Sequence, residues 1–337
     1  MQTRPCLTAG SPLTVAPHAS EPGNRRQRLN ASGSITSGLG NGLGSGLGSG
    51  GLGNTTVLRT LDQSGGAKIR LPRSEPGALA AVLLNTAGGL TGDDRIHWHA
   101  GAEAGSRLTL ATAASEKIYR THGPVARQHT FLEIGSGARL DWLPQETILF
   151  DGARLERTLE ARLARDATLL MVEAIAFGRQ ASGESLRTIE VRDKWRIYRG
   201  DRLLHAEAFR LQENDDGQQG GAVARHRGTL HGAGAMATVL LCSPASAKSL
   251  VDLATTINGV IDDKIRNDRL GTLPSRSNHS GDSTGQGEPW STGAASALEG
   301  RLVIRLIARS GHELREILLP CLEMLQGDVS LPRVWYV

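Results

Sequence analysis

A chain of 337 residues with a formal net charge of +4 and 4% aromatic residues carries neither a long Lys/Arg run nor an aromatic-plus-basic platform for stacking bases, which speaks against nucleic-acid binding. No apolar run approaches the roughly 20 residues that span a bilayer, and the N-terminus lacks the apolar centre of a secretory signal, so no membrane partner is expected. Cys6, Cys242 and Cys321 stand far apart without C-x-x-C spacing, which argues against a zinc knuckle or disulfide framework and for a reducing, cytoplasmic setting.

Residues 1–54 are poor in large apolar side chains, and Gly38 to Gly53 repeats Gly-Leu-Gly with Ser and Asn between. Such a segment cannot bury enough surface to offset its ordering entropy. It is expected to be a disordered Gly-rich extension, followed by one domain over 55–337. From there short β-rich runs alternate with Gly, Pro or Asp turns: 57–61, 79–85, 107–113, 117–120, 125–134, 138–143, 146–150, 153–163, 168–177, 186–199, 202–211 and 235–242. This close spacing predicts a mainly β domain rather than alternating βαβ units. Residues 155–165 and 169–174 would also suit helix by composition.

Two helices are expected late in the chain. Ser243 offers an N-cap ahead of Pro244, with Leu250, Leu253, Ile257, Val260 and Ile261 recurring on one face. The second runs from His312 to Gln326, with Leu314, Ile317, Leu318, Cys321, Leu322 and Leu325 at helical spacing and a kink expected at Pro320. Between them, residues 274–295 are rich in Ser, Gly, Asn, Asp and Thr, the composition of a mobile surface insertion. Apart from the Gly-Leu tract, no internal repeat marks a solenoid.

The most informative stretch is Asn85-Thr86-Ala87-Gly88-Gly89-Leu90-Thr91-Gly92-Asp93-Asp94-Arg95. Gly88, Gly89 and Gly92 supply backbone freedom at positive φ, and Asp93 and Asp94 add hard oxygen acceptors. Three further blocks follow: Ser115-Glu116-Lys117-Ile118-Tyr119-Arg120, then Trp142-Leu143-Pro144-Gln145-Glu146-Thr147-Ile148-Leu149-Phe150-Asp151-Gly152-Ala153-Arg154, then Phe177-Gly178-Arg179 through Gly183-Glu184. The chain closes on Leu331-Pro332-Arg333-Val334-Trp335. In this order the blocks resemble the UreD (UreH) urease accessory proteins over roughly residues 55–337. Gly92-Asp93-Asp94 stands where that family has Gly-Gly-Asp, so Asp93 is placed where φ > 0 is wanted, a conformation Asp tolerates better than most residues.

No P-loop, G-x-S-x-G elbow or Rossmann fingerprint is present, which argues against an enzyme. A metal-dependent hydrolase would have to draw its ligands from Asp93, Asp94 and the alternating His97 and His99, and a third ligand of fitting spacing is not evident. The acids Asp93, Asp94, Glu146, Asp151, Glu173 and Glu184 have Lys117, Arg120, Arg154 and Arg179 as available partners. Such a set fits either ion pairs that hold turns or a hydrated passage of weak cation contacts. Trp142, Phe150, Tyr119 and Trp195 are expected to pack in the core or on turns.

The resemblance implies a helix-like winding of many short strands with two α-helices late in the chain. It also implies a chaperone that binds apo-urease together with UreF and the GTPase UreG while Ni²⁺ is delivered, with no cofactor of its own. A homodimer inside that complex is compatible with this role. For nickel in transit the candidates are Asp151, Glu184, Glu146 and Ser115, and a purely structural scaffold is the alternative. Gly88, Gly89, Gly92, Asp94, Lys117, Tyr119, Arg120, Gln145 and Gly152 form the structural motif.

Overall fold

A computed structural model of the chain describes residues 28–40, 55–74, 77–179, 184, 186–213, 232–271, 291–327 and 329–336. In chain order its elements are β1 (Asn30–Leu39), β2 (Thr56–Ser64), β3 (Ala67–Arg70), β4 (Leu79–Asn85), β5 (Arg95–Ala102), β6 (Arg107–Thr112), β7 (Glu116–Ile118) and β8 (Ala126–Ile134). Next come β9 (Arg139–Leu143), β10 (Thr147–Leu149), β11 (Ala153–Leu163), β12 (Thr168–Phe177), β13 (Ile189–Arg199), β14 (Arg202–Glu213) and β15 (Ala235–Cys242). The chain ends with α1 (Ala247–Gly271), β16 (Thr292–Leu298), β17 (Arg301–Ala308), α2 (Gly311–Gln326) and a 3-10 turn at Arg333–Tyr336.

The strands wind back and forth between two sheets. The first sheet has the order β14-β13-β11-β8-β5-β1-β2 and the second β16-β17-β15-β12-β9-β6-β4-β3, with β7 and β10 attached beside the end of β12. Successive turns pair in parallel: β5 with β8 and β8 with β11 in one sheet, β6 with β9 and β9 with β12 in the other. Parallel neighbours ordinarily need a crossover element, and here the crossover of each strand is a strand of the opposite sheet. The result is a β-solenoid closed at both ends by antiparallel pairs.

The turn length shows in the side chains. Hydrogen bonds from Asn85 to Glu116, Ser115 to Glu146, Arg120 to Asp151 and Trp142 to Glu173 each span 31 residues. No repeat was visible in the sequence because each turn needs only alternation and turn residues at this period, not recurring side chains.

Burial explains the strand patterns. The first sheet has one face in the core, so β11 alternates buried and half-buried positions. β12 is buried almost continuously, because one face meets the first sheet and the other the two helices, as for strands covered on both sides. Leu169, Met171 and Ile175 point into the inter-sheet core, while Leu170, Val172 and Ala174 join Leu250, Ile257, Ile317, Leu318 and Leu322 under the helices. The helix-compatible stretches 155–165 and 169–174 are therefore strand, their Leu and Ala content serving these faces. α2 runs through Pro320, has Ser310 as N-cap bonded to the Glu313 amide (3.1 Å), and buries all six apolar residues predicted for it.

Several expectations need correction. Within 1–54, residues 30–39 form β1, which pairs with β5 in parallel and β2 in antiparallel. Its small residues alternate, burying Ala31, Gly33, Ile35 and Ser37, and close packing of Gly33 against the Trp98 ring supplies what large apolar side chains would. The rest of 1–54 up to residue 27 and from 41 lies outside the described residues, as do 274–290 of the expected insertion. Residues 292–295 of that insertion belong to β16, paired to β17. The cap of α1 is Ser246, bonded to the Ser249 amide (3.1 Å), whereas Ser243 and Pro244 form the preceding turn. β3 and β17 were not foreseen, β3 being four residues long.

Candidate functional site

The glycine-aspartate turn joins β4 to β5 and clamps the loop around β7. Leu90 donates to the Lys117 carbonyl (2.7 Å), Tyr119 donates back to the Leu90 carbonyl (2.8 Å), and the Tyr119 hydroxyl donates to the Gly88 carbonyl (3.0 Å). Gly89 sits at φ 148°, where a Cβ would lie 2.4 Å from the Tyr119 ring and 2.6 Å from the Lys117 carbonyl oxygen. Gly92 differs from Gly88 and Gly89 in having no positive φ. It is needed because a Cβ would meet Thr121 and the Pro124 carbonyl at 2.3 and 2.7 Å.

Asp93 is the one non-glycine residue at positive φ among the described residues (70°), which places the backbone freedom where the resemblance puts the glycine. Left-handed backbone costs an L-residue roughly 1–2 kcal/mol and Asp less, and the exposed Arg28 pair at 4.0 Å offsets little of it. Asp93→Gly should therefore leave the thermal midpoint unchanged or higher, whereas Asp93→Val, β-branched at the same φ, should lose about 1–2 kcal/mol in denaturant titrations.

Asp94 is buried, with its two oxygens accepting the Leu29 and Thr91 amides at 2.8 Å each. Its role is to brace the turn and dock the start of β1. His99 stacks on Phe131 and bonds Ser34 and Glu133, and His97 stands beside His129. Asp94 thus spends its acceptors on backbone amides while the two imidazoles face other partners, and no cluster of three or more His, Cys, Asp or Glu positioned for a metal ion occurs among the described residues.

A charged group lies inside the solenoid. β11, β12 and β13 each send an apolar row inward, and each row is interrupted once: Arg157 among Leu155 and Leu159, Glu173 among Met171 and Ile175, Asp193 among Val191 and Trp195. Arg157 pairs with Asp193 on the adjacent strand (2.6 Å) and reaches across to Glu173 (2.5 Å). Trp142 Nε1 donates to Glu173 (3.2 Å) and Arg157 to Thr147 Oγ1 (3.1 Å). Burial opposes the Arg157 charge, but Asp193 and Glu173 more than compensate and raise its pKa. Burial likewise pushes the Glu173 carboxyl up, against the pull of Arg157.

Arg157, Glu173, Trp142 and Thr147 border a cavity of about 220 Å³, lined also by Asn85, Trp98, Ser115, Glu116, Lys117, Gln128 and Gln145. Burial raises the Glu116 carboxyl to about 7, with the Asn85 amide and the Lys117 backbone amide working the other way. Arg157 Nε, Asp193 Oδ1 and Trp195 Nε1 are buried without a hydrogen-bond partner, which marks a polar interior able to hold water.

The structure splits the four candidates for cation passage into two pairs. Ser115 lines the inner cavity and donates to Glu146 (2.7 Å), which also stands 4.0 Å from Arg315. Asp151 instead borders a cleft of about 540 Å³ with Arg120, His122, Arg154 and Arg187. Its carboxylate accepts the Arg187 (2.7 Å) and Thr188 (3.0 Å) amides and pairs with Arg120 and Arg187. Burial alone would raise Asp151, but these amides and cations hold it below the ordinary carboxylate value. Glu184 accepts the Asp151 amide (3.4 Å) and binds Arg179 through its amide and guanidinium, which lowers its pKa too.

The motif residues brace these two regions. Arg120 lies against Gly152, whose amide donates to the Thr188 carbonyl. Gln145 donates to the Val334 carbonyl and accepts from Arg315, and Lys117 is exposed. Tyr119 meets Phe150 edge-on at 5.1 Å. Trp142 and Trp195 are core residues. Arg154 pairs with Glu190 rather than with a motif acid. Arg157, Asp193 and Glu116 were not singled out from the sequence. The readable signal was a charge in phase with the buried positions of an alternating strand, once each in β11 and β13.

Fold and site together define a β-solenoid with a charged interior, capped on one sheet by two helices. The chain belongs to the UreD urease accessory protein family: that family's model matches residues 47–336. It is 42% identical over 282 residues to a urease accessory protein UreD of Chelativorans sp. (strain BNC1), covering 84% of this chain and 89% of the relative. A UreD of Rhizobium leguminosarum bv. trifolii (strain WSM2304) is 38% identical over 313 residues, 93% of this chain and 97% of the relative. One from Methylobacterium sp. (strain 4-46) is 42% identical over 283 residues, covering 84% and 90%.

Proposed function

We propose that this protein is a non-catalytic chaperone of urease maturation, which holds apo-urease with the helical partner UreF and the GTPase UreG while Ni²⁺ passes through its polar interior. The observation that carries this reading is the inner cavity, where the carboxylates of Glu173 and Glu116 share the lining with Arg157 and with the side-chain oxygens of Ser115, Thr147 and Gln128. Transit needs contacts strong enough to admit an ion and weak enough to release it. Sparse carboxylates, hydroxyls and water suit nickel in passage better than a His/Cys cage would. Nickel is cargo here, not a resident cofactor, and GTP is hydrolysed by UreG. The work is done in the cytoplasm; no helix among the described residues is long and apolar enough to cross a membrane. A homodimer within the complex fits the same role.

One observation favours a second reading, a scaffold without ion passage: both oxygens of Asp151 are already spent on two amides and two arginines. Paired substitutions separate the two. Asp151→Ala with Glu184→Ala, and separately Ser115→Ala with Glu146→Gln, are to be scored for co-purification with urease and the GTPase and for nickel per urease active site. Passage predicts intact assembly with nickel reduced several-fold in at least one pair. Normal assembly with normal nickel in both pairs leaves the scaffold reading standing alone.

A further inference from the structure

We propose that His97 and His129 form a two-imidazole site for a divalent late first-row transition cation on the outer face of the first sheet. The two residues are directly registered on the parallel strands β5 and β8. Both are exposed, and their ring centres lie 5.9 Å apart at 63°. Two imidazoles sharing one ion at 2.0–2.1 Å metal–nitrogen distance have their centres about 5–6 Å apart, so small side-chain rotations complete the geometry.

Protonation is also suited to a ligand. His129 Nδ1 lies 2.6 Å from Thr158 Oγ1 on β11. When that nitrogen carries the proton, Nε2 keeps its lone pair for the metal, as a partner on the far nitrogen of a metal-binding His normally ensures. His99, two residues further along β5, is different, since its ring nitrogens are engaged by Ser34 at 3.1 Å and Glu133 at 2.9 Å.

Water fills the remaining positions. Arg95 and Arg127 in the neighbouring row oppose a cation electrostatically, which makes the site a weak, exchangeable one. Imidazole donors favour Cu²⁺ over Ni²⁺ and Zn²⁺. The site lies on the face opposite the inner cavity, since Ile96 and Trp98 between these positions point into the core, and it stands whether or not the interior conducts ions.

The test uses the full chain without an affinity tag, titrated with Cu²⁺ and Ni²⁺ by calorimetry and examined with Cu²⁺ by electron paramagnetic resonance. One equivalent of Cu²⁺ with hyperfine coupling to two imidazole nitrogens is expected. His97→Ala or His129→Ala should weaken this site at least about tenfold and leave a single coupled nitrogen, while His99→Ala keeps both nitrogens. A site unchanged by both His97→Ala and His129→Ala, or coupling to fewer than two nitrogens in the parent chain, overturns the proposal. Thermal unfolding of each variant confirms that these exposed substitutions leave the fold intact.

Discussion

Replacing Arg157 by Met is expected to destabilise the protein by about 3–5 kcal/mol, the usual consequence of leaving buried carboxylates without their cation. Glu173 and Asp193 would then repel each other inside the inter-sheet core, with the Trp142 indole still donating to Glu173. Chemical denaturation of the purified chain measures the loss as a lower midpoint at unchanged slope. The converse substitution is more telling. Removing all three charges, as Arg157→Met with Glu173→Met and Asp193→Leu, should recover most of that stability, because a buried ion group is often replaceable by apolar residues of similar volume. It would leave Trp142 Nε1 without its acceptor, a cost of about 1–3 kcal/mol. If the charges serve only the fold, this variant loads urease with nickel as the parent does. If they serve passage, it folds and assembles but delivers little nickel.

The second large effect is expected at the far end of the chain. Trp335 is 1% exposed, donates from Nε1 to the Leu143 carbonyl (3.1 Å), and lies under the Arg315 guanidinium at 5.2 Å. Arg315 also bonds the Trp335 carbonyl (2.5 Å) and Gln145 (2.8 Å). Trp335→Ala should cost about 3–5 kcal/mol through the cavity left behind, plus the loss of an anchor linking α2, the strand β9 and the final turn. Trp335→Phe keeps most of the apolar contact and should lose only about 1 kcal/mol for the hydrogen bond. Comparable midpoints for the Ala variant and the parent would show that the closing segment packs without contributing.

Much of this architecture was legible because strands and turns are written locally. The bounds of β4, β11, β12 and β15 match those read from short β-rich runs between turn residues, although parts of β11 and β12 also suited helix by composition, and the apolar face of α2 was identified residue by residue. Asp93 at φ 70° confirms a backbone requirement deduced from a missing glycine. What could not be read was pairing. β1 looked like linker because Gly and Ser dominate it, yet Gly33 is what lets Trp98 pack close: a Cβ there would lie 2.4 Å from the ring. The inner cavity escaped for a related reason. Glu173 and Asp193 lie 16 and 36 residues from Arg157, and only the stacking of turns brings both carboxylates within 3 Å of its guanidinium. The acids chosen for passage were those in the recognisable blocks, so Glu116, one step from Ser115, was passed over.

The insertion of β1 between β2 and β5 bears on where this chain can be trimmed. A fragment started at residue 47, where the family match begins, would retain every recognisable block yet lose the ribbon that fills the gap in the first sheet. The freed rim of β5 would present a row of unmet amides and carbonyls, an invitation to edge-to-edge association, and Asp94 would lose the Leu29 amide that it now holds. The stretch that looks most dispensable on paper is therefore a closing slat of the barrel-like wall, and expression boundaries belong upstream of residue 28.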